Sequence, residues 1–155
     1  MENDNRNDDS FVLFELAGTT YAIRSSFVRQ LEMIEHITPV PNTPASVEGV
    51  VFSRGQVTPA ISVRTRFGLP KIDYDIRSRL IVVSVDDRTI GLIVDAAREF
   101  KRIPADVIKP PSESLGNMTG DYLEGIASID DRMILVLKLD EVVKTADEVA
   151  ASIEG

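Results

Sequence analysis

The sequence predicts a mainly β chain built as two similar lobes, with short helices and a C-terminal helix. Three observations lead there. Phe11–Ile23 lies over Leu80–Leu92 without a gap at an offset of 69 residues, and Val47–Val63 lies over Leu123–Leu139 at an offset of 76. Within each copy, apolar and polar residues alternate at period two, the spacing of a half-buried strand. Turn-forming residues separate the alternating runs. A unit present twice implies two small β modules packed on each other, because a solenoid needs at least about three repeats. The groove between them is the natural place for a partner.

Phe11–Leu16 and Tyr21–Ile23 read as two strands around the turn Ala17-Gly-Thr-Thr20. Ser25-Ser26 offers a cap for a short helix, and Phe27, Val28, Leu31 and Ile34 fall at helical spacing. Ile37–Pro44 holds three prolines and can neither continue a helix nor sit in a central strand, so it reads as a stiff crossover loop. Val47–Val63 supplies two or three strands around Ser53-Arg54-Gly55-Gln56, where glycine takes the positive φ of a tight turn. Pro70–Arg79 is a polar connector to the second copy.

Leu80–Val85 is an apolar, β-branched run that predicts an interior strand buried on both faces. Asp86-Asp87-Arg88 turns it, Gly91–Val94 returns, and Asp95–Phe100 takes the place of the first copy's helical piece. Pro110–Gly120 reads as the longest loop. After a hairpin at Asp130-Asp131, Leu139–Ile153 carries Val142, Val143, Ala146, Val149, Ala150 and Ile153 on one side, as an amphipathic terminal helix would.

Composition narrows the function. A chain of 155 residues with 43% hydrophobic content can bury about two-thirds of its unfolded surface, enough for one domain of two lobes. It has no cysteine and one histidine, which excludes disulfides, thiol redox chemistry and thiolate metal sites. Residues 1–10 lack the apolar core of a signal peptide and read as a disordered lead; no run of about 18 apolar residues marks a membrane span. A net charge of −8 without a basic cluster argues against nucleic acid and anionic lipid. Protein partners remain.

Few residues could carry chemistry. His36 precedes the proline loop with no Ser or Cys nucleophile motif beside it, so it reads as an exposed or loop-packing histidine rather than a general base. Asp86-Asp87 and Asp130-Asp131 occupy equivalent hairpin tips, where aspartate favours turns over carboxylate pairs or calcium ligation. Asp73-Tyr-Asp75 lacks the glycine and glutamate of a calcium loop, and Gly49 and Gly55 do not meet the spacing of a phosphate loop. Three features exceed what a bland β domain needs. Arg54 stands where the second copy has an acidic turn, as a solvated or a partner-contacting residue. Val28-Arg29-Gln30-Leu31 mixes apolar and polar residues near the module boundary. Leu80-Ile81 opens the second copy, either as core or as a dock for a helix.

Phe14, Tyr21-Ala-Ile23, Val28-Arg29-x-Leu31, Ile37-Thr-Pro-Val-Pro, Gly49-Val50-x-x-x-Arg54-Gly55, Pro59, Gly91-Leu-Ile-Val-Asp95 and Tyr122-Leu-x-Gly125 resemble, in order, the CheW-like domain of bacterial chemotaxis coupling proteins. The resemblance runs from Phe11 to Val143 and implies two SH3-like five-stranded β-barrel lobes across residues 11–143, with the connector near 70–79. A disordered lead (1–10) and a C-terminal helix or tail (144–155) flank them. It implies a non-enzymatic, cofactor-free, cytoplasmic adaptor that couples the cytoplasmic tip of chemoreceptors to the regulatory domain of a CheA-type histidine kinase, at receptor clusters by the inner membrane. By motif match, the receptor's helical hairpin would meet Val28, Gln30, Leu31, Gly49, Val50, Arg54, Leu80 and Ile81 in the groove between lobes, a helix-in-groove mode.

Departures concentrate at one turn. Phe52 and Ser53 stand where the family has Asn and Leu, ahead of Arg54-Gly55. Ser62 replaces an aspartate. Gln30 stands where an acidic residue is common, which leaves at most a neutral-to-charged hydrogen bond to Arg54. These positions (Phe52, Ser53, Gly55, Ser62) would set partner specificity. They also leave open a divergent accessory that binds receptors but has lost the kinase contact. A small β-barrel enzyme using His36 is the reading from another class.

Overall fold

The computed structural model describes residues 9–111 and 122–144. Residues 1–8 of the anticipated lead (1–10), most of the anticipated long loop (112–121) and the end of the anticipated terminal helix (145–155) lie outside them, while Ser10 of the lead begins a strand. Eleven strands form among the described residues: β1 Ser10–Leu16, β2 Thr19–Arg24, β3 Val28–Met33, β4 Val47–Ser53, β5 Gln56–Ser62, β6 Arg79–Val85, β7 Arg88–Val94, β8 Ala96–Arg102, β9 Ile108–Lys109, β10 Leu123–Ile129 and β11 Arg132–Leu137. Two short helices, α1 Val63–Arg66 and α2 Leu139–Val142, follow β5 and β11, so the repeat extends past the strands.

The strands make two sheets, ordered β8-β1-β2-β11-β10-β9 and β3-β6-β7-β5-β4. The chain is therefore mainly β and two-lobed, as anticipated. Each copy does not, however, fold as its own module. The first hairpin β1–β2 pairs with β8 and β11 of the second copy, while the second hairpin β6–β7 pairs with β3 and β5 of the first. The copies exchange hairpins, and the connector over 70–78 joins two strands of the same sheet. The crossings fall at Ser25–Phe27 and at Asp95, between strands of different sheets.

The helix expected at Phe27–Ile34 is corrected to a single 3-10 turn, Ser25–Phe27, followed by β3. No serine side chain caps that turn. Val28, Gln30 and Glu32 are half-buried while Arg29, Leu31 and Met33 are exposed, the period-two pattern of a strand. Ladder bonds to β6 override the coincidental helical spacing of the four apolar residues. Asp95–Phe100 is corrected in the same way, because β8 pairs along β1.

Alternate residues of β1 and β6 serve two cores. Val12, Phe14, Leu16, Ile81, Val83 and Val85 meet between the sheets with Ile61, Val63, Leu92, Leu139 and Val142. Phe11 and Leu13 turn the other way into the interior of the six-stranded lobe, and Leu80 and Val82 into that of the five-stranded one. That burial is the main stabilising term, about 1.5–3 kcal/mol for each large side chain. Leu80–Val85 is thus interior, as its composition predicted.

Polar clamps fix the lobes to each other. Arg66 donates to the carbonyls of Glu141 and Val142 at 3.0 and 3.1 Å and to the Tyr122 hydroxyl at 2.7 Å, tying α1 to α2. Its guanidinium also lies over the Tyr122 ring. Arg64 forks onto Asp95 with two bonds of 2.7 Å, and the Ala17 amide donates to the same carboxylate at 2.8 Å. Burial pushes the Asp95 carboxyl up, but the Arg64 and Ala17 bonds outweigh it and hold it below the usual range.

Ser62 is buried, and its hydroxyl accepts from the Thr65 amide at 3.2 Å as the N-cap of α1. The residue expected to serve partner specificity thus holds the start of α1. Ser62→Ala is expected to cost about 1 kcal/mol, read as a lowered urea midpoint with an unchanged slope.

Candidate functional site

Most residues singled out by motif lie on the two edge strands of the five-stranded sheet, while Leu80 and Ile81 lie on β6 and Ser62 ends β5. β3 and β4 are its outer strands, and side chains close the seam between them. Gln30 Nε2 donates to Ser53 Oγ at 3.0 Å, and Ser53 Oγ donates to Glu32 Oε2 at 2.7 Å. The anticipated bond from Gln30 to Arg54 is replaced by this relay. Two departures that look independent in sequence, Gln30 and Ser53, are one interaction.

Beyond Ser53 the chain turns through Arg54 (φ 51°) and Gly55 (φ 80°). Positive φ at both central residues of a two-residue hairpin matches the twist of the flanking strands. Arg54 is thereby carried at an exposed tip. Phe52, on the opposite face of β4 from Ser53, is 76% exposed, and its cross-strand partner Val57 and nearby Met33 are also exposed. Met33 and Val57 are not singled out by sequence. The helical spacing over β3 hides the first, and the second reads simply as strand.

Gly49 and Val50 hold the proline loop against β4. Thr38 and Val50 exchange two backbone bonds of 2.8 Å, and a Cβ on Gly49 would lie 2.1 Å from the Thr38 carbonyl oxygen. Gly125 makes a similar but looser approach to Lys109 in the other lobe, where a Cβ would meet its carbonyl oxygen at 2.8 Å. The repeated Glu-Gly thus marks the same close crossing twice.

Among the groove candidates, Leu31 is 40% exposed, Val28 and Gln30 are half-buried, and Val28 packs on the core between the sheets. Leu80 and Ile81, expected at the docking surface, are 3% and 0% exposed and pair across from Glu32 and Leu31 on β3. Gly49 is also buried. His36 is exposed and lines a cavity of about 330 Å³ with Glu32, Glu35 and apolar residues. That cavity lies beside β3 and β4, away from the junction of the lobes.

A family described as CheW-like domain matches residues 10–147. The chain belongs to the CheW-like domain family. Among its relatives, the chemotaxis protein CheW of Helicobacter pylori is 33% identical over 145 residues, covering 92% of this chain and 86% of that protein. A probable chemotaxis protein CheW of Rhizobium etli is 28% identical over 147 residues, covering 95% of each. The crystal structure of the scaffolding protein TtCheW from Thermoanaerobacter tengcongensis superposes with a TM-score of 0.80 at 34% identity, over 88% of this chain and 93% of that one. The CheW-like resemblance read from the motifs is thereby shown, and its two-lobed β architecture agrees with the sheets described above.

Proposed function

We propose that this protein is a non-enzymatic cytoplasmic adaptor that couples the cytoplasmic tip of chemoreceptors to the regulatory domain of a histidine kinase, at receptor clusters. The observation that supports this reading is that the two edge strands carrying Val28, Gln30, Leu31 and Ser53, with Arg54 at their tip, are joined by one polar seam. Val28 is anchored in the core, Gln30 is locked into the seam, and Leu31 and Arg54 face outward. An exposed arginine and apolar residues on a fixed frame suit a helical hairpin laid along a groove. Gly49, Leu80 and Ile81 act beneath that surface. The Thermoanaerobacter relative is a scaffolding protein, which supports the same reading.

Calorimetric titration against a receptor signalling-tip hairpin, and separately against a kinase regulatory domain, tests it; binding to neither would refute it. Arg54→Glu is expected to weaken receptor binding about tenfold. As an exposed tip residue, it should move Tm by less than about 2 °C. A larger thermal change would assign Arg54 to the fold.

The seam favours a second reading, an accessory that binds receptors without the kinase. Ser53 is engaged inward by Gln30 and Glu32, where the family's leucine would present apolar surface. Under this reading, Phe52→Asn with Ser53→Leu creates kinase binding in the same titration. Absence of any gain counts against it.

A further inference from the structure

We propose that the cavity between the end of β3 and β4 is a docking pocket for a basic peptide segment of a partner protein that carries one large apolar side chain. The two lobes provide an internal comparison. In the six-stranded lobe, Phe11, Leu13, Ala22, Ile134 and Val136 fill the interior and are fully buried. The repeat places Leu80, Val82, Gly91, Thr58 and Ala60 at the same five positions of the other lobe, each with less apolar side chain than its counterpart. Leu80 has already settled over Gly91, where a Cβ would lie 2.7 Å from Leu80 Cδ1, so that glycine's space is used. Beside Leu80, with Val51 where the other lobe has Ala127, a cavity of about 330 Å³ opens at the surface, its apolar lining Met33, Ile34, Ile37, Val51, Phe52 and Leu80. Ile103 is fully buried, whereas its counterpart Ile34 is only half-buried and lines that opening. A concave opening with an apolar lining and a few polar groups is the usual form of a binding pocket.

The rim has diverged in the same lobe. Phe52 stands for Ser128 and Met33 for Arg102, while Glu32 and Glu35 stand for Lys101 and Pro104. The lining residues include two glutamates and no lysine or arginine. An apolar floor with an acidic rim fits an apolar anchor flanked by basic residues. The chain's own segments outside the described residues are poor occupants, since 1–8, 112–121 and 145–155 each carry net negative charge.

The pocket adjoins the proposed coupling surface, sharing Phe52 and Leu80 with it, and the peptide titration, run without receptor or kinase, stands or falls independently of that reading. The full-length ¹⁵N-labelled protein is titrated with a synthetic peptide bearing one leucine between two pairs of lysines. Controls replace the leucine by serine or the lysines by glutamate. The leucine peptide is expected to shift the amides of Met33, Ile37, Val51 and Phe52, and both controls to bind at least about tenfold more weakly. Phe52→Ser and Leu80→Phe, each installing the other lobe's residue, are expected to reduce affinity about tenfold. Phe52 is a surface position, so its variant keeps the test decisive even if Leu80→Phe disturbs folding. The proposal is overturned by shifts that are absent or fall elsewhere, by equal binding of the glutamate peptide, or by a folded Phe52→Ser variant that binds like the parent.

Discussion

Gly49→Ala is expected to destabilise the protein by about 4 kcal/mol, a large share of the roughly 5–15 kcal/mol that holds a domain together. The new Cβ would fall 2.1 Å from the Thr38 carbonyl oxygen, 2.7 Å from its carbon and 2.9 Å from Pro39 Cα. All three are backbone atoms, so no rotamer change relieves the overlap. The glycine also holds φ at +149°, and a side chain there adds about 1–3 kcal/mol of strain to a comparable overpacking cost. Gly125→Ala should cost less, about 2 kcal/mol. Its closest neighbour, Ile108 Cγ2 at 2.4 Å, is a side-chain methyl that can move. Urea denaturation of both variants checks the order. Two costs within about 0.5 kcal/mol of zero would show that the crossing of the proline loop over β4 yields freely.

The same crossing shows what sequence can and cannot disclose. Glu48-Gly49 over Glu124-Gly125 marks a repeated element, and the hairpin tips are legible because turn residues separate alternating runs. Which hairpin pairs with which third strand is not legible. β3 and β8 carry no sequence pattern that selects one hairpin over the other, and the exchange follows from the crossings at Ser25–Phe27 and Asp95. The helical pattern over β3 has a simple cause: Phe27, Val28, Leu31 and Ile34 satisfy a helical period by accident, and ladder bonds are invisible in a single strand. The Gln30–Ser53 relay spans 23 residues and joins two edge strands, so composition could not couple them. Leu80 and Ile81 are interior strand, as their composition indicates. Their inclusion in a docking surface comes from motif matching, which carries position but not exposure.

Asp95→Ala carries the second large effect, about 3 kcal/mol, because Asp95 sits where the chain passes from one sheet to the other. Its carboxylate binds Arg64 of α1 through both oxygens and the Ala17 amide of the first hairpin turn. Its own amide donates to the Glu15 carbonyl. The Arg64 and Asp95 side chains are only 14% and 16% exposed, so removing the carboxylate leaves a largely buried guanidinium without its counter-ion. Asp95→Asn keeps an acceptor for Ala17 and should cost less. Removing Arg64 together with Asp95 should cost less than the two single changes combined, since the orphaned partner goes too. The sign of the pH dependence follows from the lowered carboxyl. An acid held more tightly ionised in the folded state stabilises fully above its unfolded pKa of about 3.9. That stabilisation is lost as pH falls through the lower folded value. The stability gap between the parent and Asp95→Ala should therefore be complete at neutral pH and shrink below about pH 4. A gap that stayed constant into acid would mean that the Asp95 side chain acts through packing and its bond from the Ala17 amide rather than through charge.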